Sequence, residues 1–175
     1  MAPAVELRGI TKAFPGVVAN DQIDFSAEKA EIHGLLGENG AGKTVLMSVL
    51  YGMYRPDNGM ILVDGKEARI HGPGDALKLG IGMVHQHFML IPSLTVVENI
   101  ILGREPMRNG FLLDRERMLS DVSEFCSRYK LDVDLEAPVY QLPVGVQQRV
   151  EILKALYRGT DVLILDEPTA VLTPG

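Results

Sequence analysis

The sequence predicts an α/β fold in which helices flank a mixed, mainly parallel sheet, with antiparallel strands at its start and a helical insertion near its middle. Early in the chain, VELRGI and DQIDFS alternate apolar and polar residues, as half-buried strands do. Farther along, apolar residues recur at helical spacing over residues 114–129 and 146–158, with Asp114 as the predicted N-cap. Two short apolar runs, GIGMVHQ and DVLIL, predict buried strands.

Further elements are predicted around a glycine cluster. EIHGLLG predicts a strand that ends in the glycines, and a helix is predicted from Lys43 to a point near Gly52. One face of this helix carries the apolar residues Val45, Leu46, Val49 and Leu50. The turn sequences RPDNG and VDGK flank a predicted strand MILV, and TVVENIILG predicts a short helix.

The composition is ordinary for a globular chain, with 46% hydrophobic and 23% charged residues among 175. A net charge of −6 argues against a nucleic-acid partner, because phosphate binding usually requires a basic excess. The single cysteine, Cys126, excludes an intramolecular disulfide and fits a reducing cytoplasm. No apolar run approaches the roughly 20 residues of a membrane helix, and the first residues lack the pattern of a signal peptide. We therefore expect a cytoplasmic globular protein.

The segment GENGAGKT, residues 37–44, matches the pattern G-x-x-x-x-G-K-[ST] of a phosphate-binding loop. Glycines let the backbone fold tightly enough to point its N–H groups at a polyphosphate, and the helix after them adds the positive end of its dipole. In this interpretation Lys43 reaches the β- and γ-phosphates and the hydroxyl of Thr44 binds Mg²⁺. The alternative is a glycine-rich turn with a solvated lysine. The predicted strand before the motif and the predicted helix after it favour phosphate binding.

Two adjacent acids, Asp166 and Glu167, follow the predicted strand DVLIL. In phosphate-loop proteins such a strand delivers an acid that holds Mg²⁺, the role predicted for Asp166. Glu167 is predicted to polarise or deprotonate the attacking water, since phosphoryl transfer depends on a well-placed nucleophile. The alternative is a pair of solvated acids at a strand end, which GENGAGKT in the same chain disfavours.

Four segments in this order, GENGAGKT, VHQHFMLIPSLTVVENI, LPVGVQQRVEILKALYR and LILDEPTAVLTP, resemble the nucleotide-binding domain of ATP-binding-cassette (ABC) transporters. EPTAVLTP in place of the more usual EPTSALD resembles, more narrowly, the N-terminal cassette of bacterial importer ATPase subunits for simple sugars and nucleosides. The resemblance implies a P-loop NTPase fold of the ABC type. It also implies an antiparallel β region with the ATP-binding core (1–90), a helical subdomain (91–150) and a return to the core (151–175).

The resemblance also implies individual roles. Phe14 matches an aromatic residue that stacks on adenine, with a core phenylalanine as the alternative. Gln86 matches a glutamine that touches Mg²⁺ or the attacking water and signals to the membrane subunit, with a strand-end glutamine of no such role as the alternative. The implied nucleotide-binding residues are Phe14, Gly37, Glu38, Asn39, Gly40, Ala41, Gly42, Lys43, Thr44 and Val45. The implied catalytic residues are Glu167, Gln86 and Lys43, and the implied Mg²⁺ ligands are Thr44, Gln86 and Asp166.

Two other features have open interpretations. The apolar segment FMLIPSL, residues 88–94, is either core or a groove that receives a helix of the permease. The histidines lack a third ligand at metal spacing and are interpreted as structural. They are His33, His71, His85 and His87.

The segment LPVGV stands where the family carries its signature, usually LSGGQ, at a helix N-terminus that faces the γ-phosphate held by a second cassette. These signature residues are Leu142, Pro143, Val144, Gly145 and Val146. Pro143 replaces serine and lacks both a hydroxyl and an N–H, whereas Gly145 preserves close backbone approach. Since each signature serves the other cassette's loop, we expect an asymmetric pair in which the site of Lys43 and Glu167 is the more competent. The alternative is that Pro143 is tolerated and both sites work.

The resemblance implies an ATPase that energises import of a simple sugar or nucleoside, with ATP and Mg²⁺ as cofactors. Its implied partners are a second cassette, transmembrane permease subunits and, indirectly, a periplasmic or lipoprotein solute-binding protein, at the cytoplasmic face of the cell membrane. No nucleic-acid partner is expected. Two alternatives stay open: a soluble ABC-type ATPase in DNA repair, chromosome structure or translation, and a nucleotide-binding module without turnover.

Family members continue past the EPTAVLTP segment to a histidine that contacts the γ-phosphate, and no histidine here follows Asp166. We therefore expect the N-terminal part of a longer ATPase that carries two cassettes in one polypeptide. On that expectation, these 175 residues alone bind nucleotide weakly and hydrolyse it negligibly.

Overall fold

The computed structural model describes residues 2–86, 88–108 and 112–168. The chain divides into two compact units, Met1–Gly82 and Met83–Gly175. The division into three parts inferred from the resemblance stays a prediction. Within the described ranges, the helices are all too short or too polar to cross a membrane.

An antiparallel sheet dominates the first unit. Its strands are β1 (Val5–Phe14), β2 (Val17–Ala27), β3 (Asn58–Val63) and β4 (Lys66–Ala68), in the spatial order β2-β1-β3-β4. On β1, Val5, Leu7 and Ile10 are buried, and the wider last spacing coincides with a register shift between Leu7 and Ile10. The strands predicted at VELRGI and DQIDFS are confirmed.

Helix α1 (Lys43–Leu50) follows the glycine-rich loop and buries Leu46, Val49 and Leu50, as its apolar spacing predicts. Val45 on the same predicted face is half-buried. The chain leaves the helix at Gly52, whose φ of 83° lies in the left-handed region. A short helix, α2 (Pro73–Lys78), completes the unit.

The strand predicted for EIHGLLG is wrong. Residues 31–37 are irregular, and Ile32 and Leu36 have relative exposures of 101% and 93%. A β-strand requires a hydrogen-bonded neighbour, and no strand in the described part of this unit pairs with the segment. Ile32 and Leu36 are therefore exposed, although the apolar composition of the segment is typical of a buried strand.

Helices form most of the second unit. They are α3 (Val96–Ile101), α4 (Arg115–Tyr129) and α5 (Val144–Tyr157), with a 3₁₀ turn at Val139–Gln141. Their common core consists of Val96, Val97, Ile100, Ile101, Met118, Val122, Cys126, Val139, Val150 and Leu153. A capping box between Thr95 and Glu98 begins α3, and the Asp114 carboxylate accepts a hydrogen bond at the start of α4. The helices predicted at TVVENIILG and 114–129 are confirmed.

Helix α5 begins at Val144, two residues before the predicted start at Val146. Pro143 occupies the N-cap position with a φ of −57°. A proline suits a helix start because its φ is compatible with helical entry and its missing N–H would have no partner within the helix.

The remaining strands are β5 (Ile81–Val84), β6 (Met107–Arg108), β7 (Leu112–Leu113) and β8 (Val162–Leu165). β5 pairs with β8, and β6 pairs with β7. The strands predicted at GIGMVHQ and DVLIL are confirmed, but the complete burial predicted for DVLIL is wrong. Ile164 is buried, whereas Leu165 is 43% exposed. Among the described strands, β5 is the sheet neighbour of β8. The end of β8 at Leu165 is therefore exposed to solvent.

Candidate functional site

The loop formed by GENGAGKT turns at two glycines before α1 begins. Gly40 and Gly42 have φ angles of 82° and 85°, in the left-handed region. A Cβ atom at Gly42 would lie 2.1 Å from the carbonyl oxygen of Ala19, so a larger residue would displace the backbone. At Gly40 a Cβ atom would meet nothing within 4 Å, which leaves room for close approach of a ligand to the described backbone.

The Lys43 side chain folds back over its own loop. Its Nζ atom donates hydrogen bonds to the carbonyl oxygens of Gly37 and Glu38, both at 2.8 Å. The ammonium group therefore lies against its own loop, and both of its hydrogen-bond acceptors there are neutral carbonyl oxygens. Phosphate oxygens would make stronger, charge-assisted hydrogen bonds with the same group.

The N-terminus of α1 favours an anion. The N–H groups of its first turn have no acceptor within the helix, and the first helical bond runs from Leu46 N–H to Gly42 O at 2.9 Å. The first turn contains no acidic residue. Together with the helix dipole, these N–H groups form an environment that attracts a phosphate.

Asn20 is a contributor that the sequence analysis missed. This β2 residue is 5% exposed, and its Nδ2 atom donates to the carbonyl oxygen of Gly42 at 3.2 Å. Its Oδ1 atom is buried without a hydrogen-bond partner among the described residues. Asn20 thus holds the end of the loop against β2. Nothing in the local pattern of the strand distinguishes it from a solvent-facing asparagine.

Phe14 lies half-buried at the end of β1. Its ring packs edge-to-face with Tyr54, with the centroids 5.2 Å apart, and Lys12 Nζ lies 5.6 Å from its centroid. Lys12 is anchored by Asp57 at 2.9 Å. Hydrogen bonds from the Ala13 N–H and from Lys12 hold the pKa of Asp57 below its ordinary value. Phe14 is therefore a supported aromatic surface, and its stacking on adenine stays a prediction.

In the second unit, the carboxyl ends of β5 and β8 bring two predicted catalytic residues together. Gln86 Nε2 donates to Glu167 Oε2 at 3.2 Å, across 81 positions of sequence. The backbone N–H of Asp166 donates to Val84 O at 3.1 Å and continues the pairing of the two strands. Glu167 is exposed and has a φ of 48°, which is uncommon for a residue with a Cβ atom. Such backbone strain is frequent at functional sites.

The signature segment forms the entry to α5. The carbonyl oxygen of Pro143 accepts hydrogen bonds from Val146 N–H at 2.8 Å and from Gln147 N–H at 3.0 Å. The Gln147 side chain donates from Nε2 to Leu142 O at 2.9 Å and secures the turn. The first turn of α5 contains no acidic residue, and Val144 is 44% exposed. The segment therefore presents a helix N-terminus to solvent, and its role toward the phosphate of a second cassette stays a prediction.

The segment FMLIPSL borders a groove in the second unit. Met89 is 60% exposed and Ile91 is 40% exposed, so the segment as a whole is not core. A pocket of about 620 Å³ lies beside it, lined in part by Phe88, Leu90, Pro92, Tyr140 and Val144. Apolar grooves of this kind commonly receive helices.

The described histidines show no metal-binding arrangement. His33 Nδ1 lies 3.3 Å from Glu31, and the His71 N–H donates to Asp75 at 3.1 Å. No group of three or more His, Cys, Asp or Glu side chains that could hold a metal occurs in ranges 2–86, 88–108 and 112–168. His87 lies outside the described residues.

The fold and the glycine-rich loop define a P-loop NTPase of the ATP-binding-cassette class. CbiO1 from Clostridium perfringens, part of the ABC transporter complex cbiONQ, matches with a TM-score of 0.80 at 27% identity, over 99% of this chain and 69% of that one. A dimeric ATP-binding cassette in a post-hydrolysis state with bound ADP and phosphate matches with a TM-score of 0.78 at 25% identity, over 97% and 76%. A family model described as ABC transporter matches residues 20–170, and the chain belongs to that family.

Curated relatives share higher identity. The guanosine import ATP-binding protein NupO of Bacillus subtilis (strain 168) is 56% identical over 99% of this chain and 34% of its own length. A glucose import ATP-binding protein, TsgD13, of Haloferax volcanii is 53% identical over 98% and 36%. A ribose import ATP-binding protein, RbsA 1, of Streptomyces avermitilis is 52% identical over 97% and 32%. The chain spans about one third of the length of these relatives.

Proposed function

We propose that the chain is the ATP-binding and ATP-hydrolysing cassette of an importer for a simple sugar or a nucleoside. The hydrogen bond between Gln86 and Glu167 carries the proposal, because it places a carboxylate and an orienting amide at adjoining strand ends. The Lys43 loop of the first unit supports it. The solute class is supported by relatives that are named for guanosine, glucose and ribose import.

The phosphates of ATP bind to the loop of the first unit in this proposal. Lys43 exchanges the carbonyl oxygens of Gly37 and Glu38 for phosphate oxygens, and the N–H groups at the start of α1 donate to the same anion. The open space beside Gly40 lets the phosphates approach the backbone of the loop. Phe14 stacks on the adenine, which an aromatic face binds without reading its edges.

The chemistry of the donor set fits Mg²⁺. The family resemblance implies the Thr44 hydroxyl of the first unit as a Mg²⁺ ligand, and the Asp166 carboxylate and the Gln86 amide oxygen of the second unit, which are oxygen donors of the kind that Mg²⁺ prefers. Gln86 contacts Glu167 through its amide nitrogen, which leaves its amide oxygen as the acceptor. When bound, the ion neutralises charge that develops on the phosphate oxygens.

Glu167 acts as the base in this proposal. One carboxylate oxygen accepts the proton of the attacking water, the water oxygen attacks the γ-phosphorus, and ADP leaves with the electrons of the broken bond. Gln86 orients the carboxylate with a neutral amide donor. The strained φ of Glu167 is consistent with a side chain held for function.

The assembled pair of cassettes is asymmetric in this proposal. LPVGV offers the second cassette a helix N-terminus but no serine hydroxyl, because Pro143 occupies that place. The second cassette's loop therefore receives weaker contacts than the loop around Lys43 does. The prediction concerns the partner's site and leaves this chain's own residues competent.

The remaining partners are the transmembrane permease subunits and, indirectly, a solute-binding protein. We assign the groove beside residues 88–92 to a helix of the permease, since it is apolar and open. In this proposal the protein is a peripheral subunit at the cytoplasmic face of the membrane. The net charge of −6 gives no support to a nucleic-acid partner.

Nucleotide titration of the full-length protein tests the first step. Lys43→Met should weaken ATP binding about 10- to 100-fold, because a charge-assisted hydrogen bond contributes about 1.5–3 kcal/mol. Lys66→Met, which removes an exposed lysine of the same unit, is the matched control. Equal affinities of the two variants would contradict the loop assignment.

ATPase measurements with and without the permease separate this function from its rivals. Stimulation by the permease is the expected result, because transport couples hydrolysis to a conformational change of the membrane subunits. An unchanged rate would favour a soluble ATPase, and binding without turnover in both conditions would favour a nucleotide-binding module.

A further inference from the structure

A band of polar residues on α5 is buried in the second unit. Gln148 and Glu151 are 8% and 5% exposed, and the Lys154 side chain is 12% exposed. The three residues recur at three-residue spacing along the helix whose N-terminus carries LPVGV. Acidic and basic side chains are seldom buried to this extent unless they have specific partners.

The partners of this band are the two segments that carry Gln86 and Glu167. Lys154 Nζ donates to the carbonyl oxygen of Met89 at 2.7 Å, three residues after Gln86. The same Nζ atom lies 3.8 Å from Glu151 Oε1. Gln148 donates from Nε2 to the carbonyl oxygen of Pro168, the residue that follows Glu167. One helix therefore contacts both strand-end loops.

We propose that Gln148, Glu151 and Lys154 are positioning residues, a clamp by which α5 holds the loops after β5 and β8 in the arrangement that lets Gln86 meet Glu167. The proposal deepens the proposed function and rests on it, because it assigns the clamp to the reaction at Glu167. It also implies that a displacement of the signature end of α5 changes the pairing of Gln86 with Glu167.

The electrostatics of the ion pair between Glu151 and Lys154 suit a role in positioning the loops. Glu151 Oε1 is buried and accepts no hydrogen bond from the described part of the chain. Burial raises the pKa of Glu151, opposed by the Lys154 charge and by a hydrogen bond from the Met89 N–H, and burial lowers the pKa of Lys154. A buried ion pair adds little net stability, because desolvation offsets its attraction, but its loss leaves an uncompensated charge. The pair is better explained by the arrangement it enforces than by the stability it provides.

The experiment compares three variants of the full-length protein. Lys154→Met alone would leave the Glu151 carboxylate buried and unpaired, so the test variant is the double change Glu151→Gln/Lys154→Met. Its kcat for ATP hydrolysis should fall about 10- to 100-fold with a KM changed by less than about twofold, since a misplaced catalytic group slows chemistry more than binding. Lys154→Arg keeps the charge and the donors and should retain the wild-type kcat. Arg128→Met, at an exposed position on α4, is the control.

Hydrogen exchange of residues 86–94 is the second readout. It should be faster in the double variant than in the wild type, and unchanged in Lys154→Arg and Arg128→Met. Unchanged exchange in the double variant overturns the clamp, and so does an equal loss of kcat in Arg128→Met. Faster exchange with a wild-type kcat overturns the positioning role. A wild-type protein without ATPase activity, but with the exchange difference, refutes the proposed function and leaves the clamp in place.

Discussion

Gln86 and Glu167 are joined by a 3.2 Å hydrogen bond from the amide Nε2 atom to the carboxylate Oε2 atom. A neutral donor orients a carboxylate without supplying a full positive charge, so the carboxylate can still accept a proton. One carboxylate oxygen of Glu167 stays outside this contact. The arrangement suits a base that must point at a water molecule.

Replacement of Glu167 by Gln is the direct test of this base. The turnover should fall about 10²- to 10⁴-fold, because a carboxamide cannot take the proton of the attacking water. ATP affinity should persist, since Glu167 is assigned to the chemical step. Single-turnover hydrolysis by the assembled transporter provides the measurement, and Asp161→Asn, at an exposed acid before β8, is the matched control. If the transporter loses little activity, the asymmetry between the two sites runs opposite to our proposal.

A pair of glycine substitutions separates backbone strain from steric clash in the phosphate loop. Gly42 and Gly16 have φ angles of 85° and 83°, so alanine is strained at both positions by about 1–2 kcal/mol. Only at Gly42 does the added Cβ meet a backbone atom, 2.1 Å from Ala19 O, whereas nothing lies within 4 Å of it at Gly16. Gly42→Ala should therefore be the less stable variant in urea unfolding and should lose ATP binding. Equal unfolding midpoints and equal ATP affinities would refute the close contact between the loop and β2.

Asn99 is expected to hold the groove segment in place. It is fully buried, accepts from the Ile91 N–H at 2.7 Å and donates to the carbonyl oxygens of Ile91, Leu94 and Thr95. Asn99→Ala removes the acceptor of the Ile91 N–H, whereas the three carbonyl oxygens keep their backbone donors, and it should lower the free energy of unfolding by about 1–3 kcal/mol. Asn58→Ala, at an exposed position on β3, should have a much smaller effect in the same urea titration. A loss of similar size in both variants would argue against the anchoring role.

The burial of Glu151 predicts a pH-dependent difference between the wild type and Glu151→Gln. Burial raises the pKa of Glu151 above its ordinary value of 4.5, so the folded protein binds this proton more tightly than the unfolded chain. This contribution to stability is fully present below pH 4.5 and is lost as the pH rises through the folded-state pKa. The charges that face Glu151 belong to Lys154, His85 and Arg158.

Glu151→Gln cannot ionise, so its stability relative to the wild type should be higher at about pH 7.5 than at about pH 5. Urea unfolding of both proteins at the two pH values measures the change in this difference. Glu124→Gln, at a side chain that is 80% exposed, is the control for the substitution itself. A pH-independent difference for Glu151→Gln would contradict the raised pKa.

The sequence by itself predicted those elements and motifs whose pattern lies within one short segment. The apolar spacing of residues 114–129, the Asp114 cap and the GENGAGKT loop each depend on residues within a few positions of one another, and the structure has the helix, the cap and the loop there. The strand predicted at residues 31–37 failed because a strand depends on a neighbour that the local pattern does not specify.

Only the tertiary structure placed the side chains whose partners are distant in sequence. Gln86 meets Glu167 across 81 positions, Lys154 meets Met89 across 65, and Asn20 meets Gly42 across 22. Spacing and composition describe the periodicity of one segment, whereas these contacts depend on how segments pack and which polar atoms are left to be satisfied. For this reason the phosphate loop could be predicted from the sequence, whereas the clamp on α5 could not.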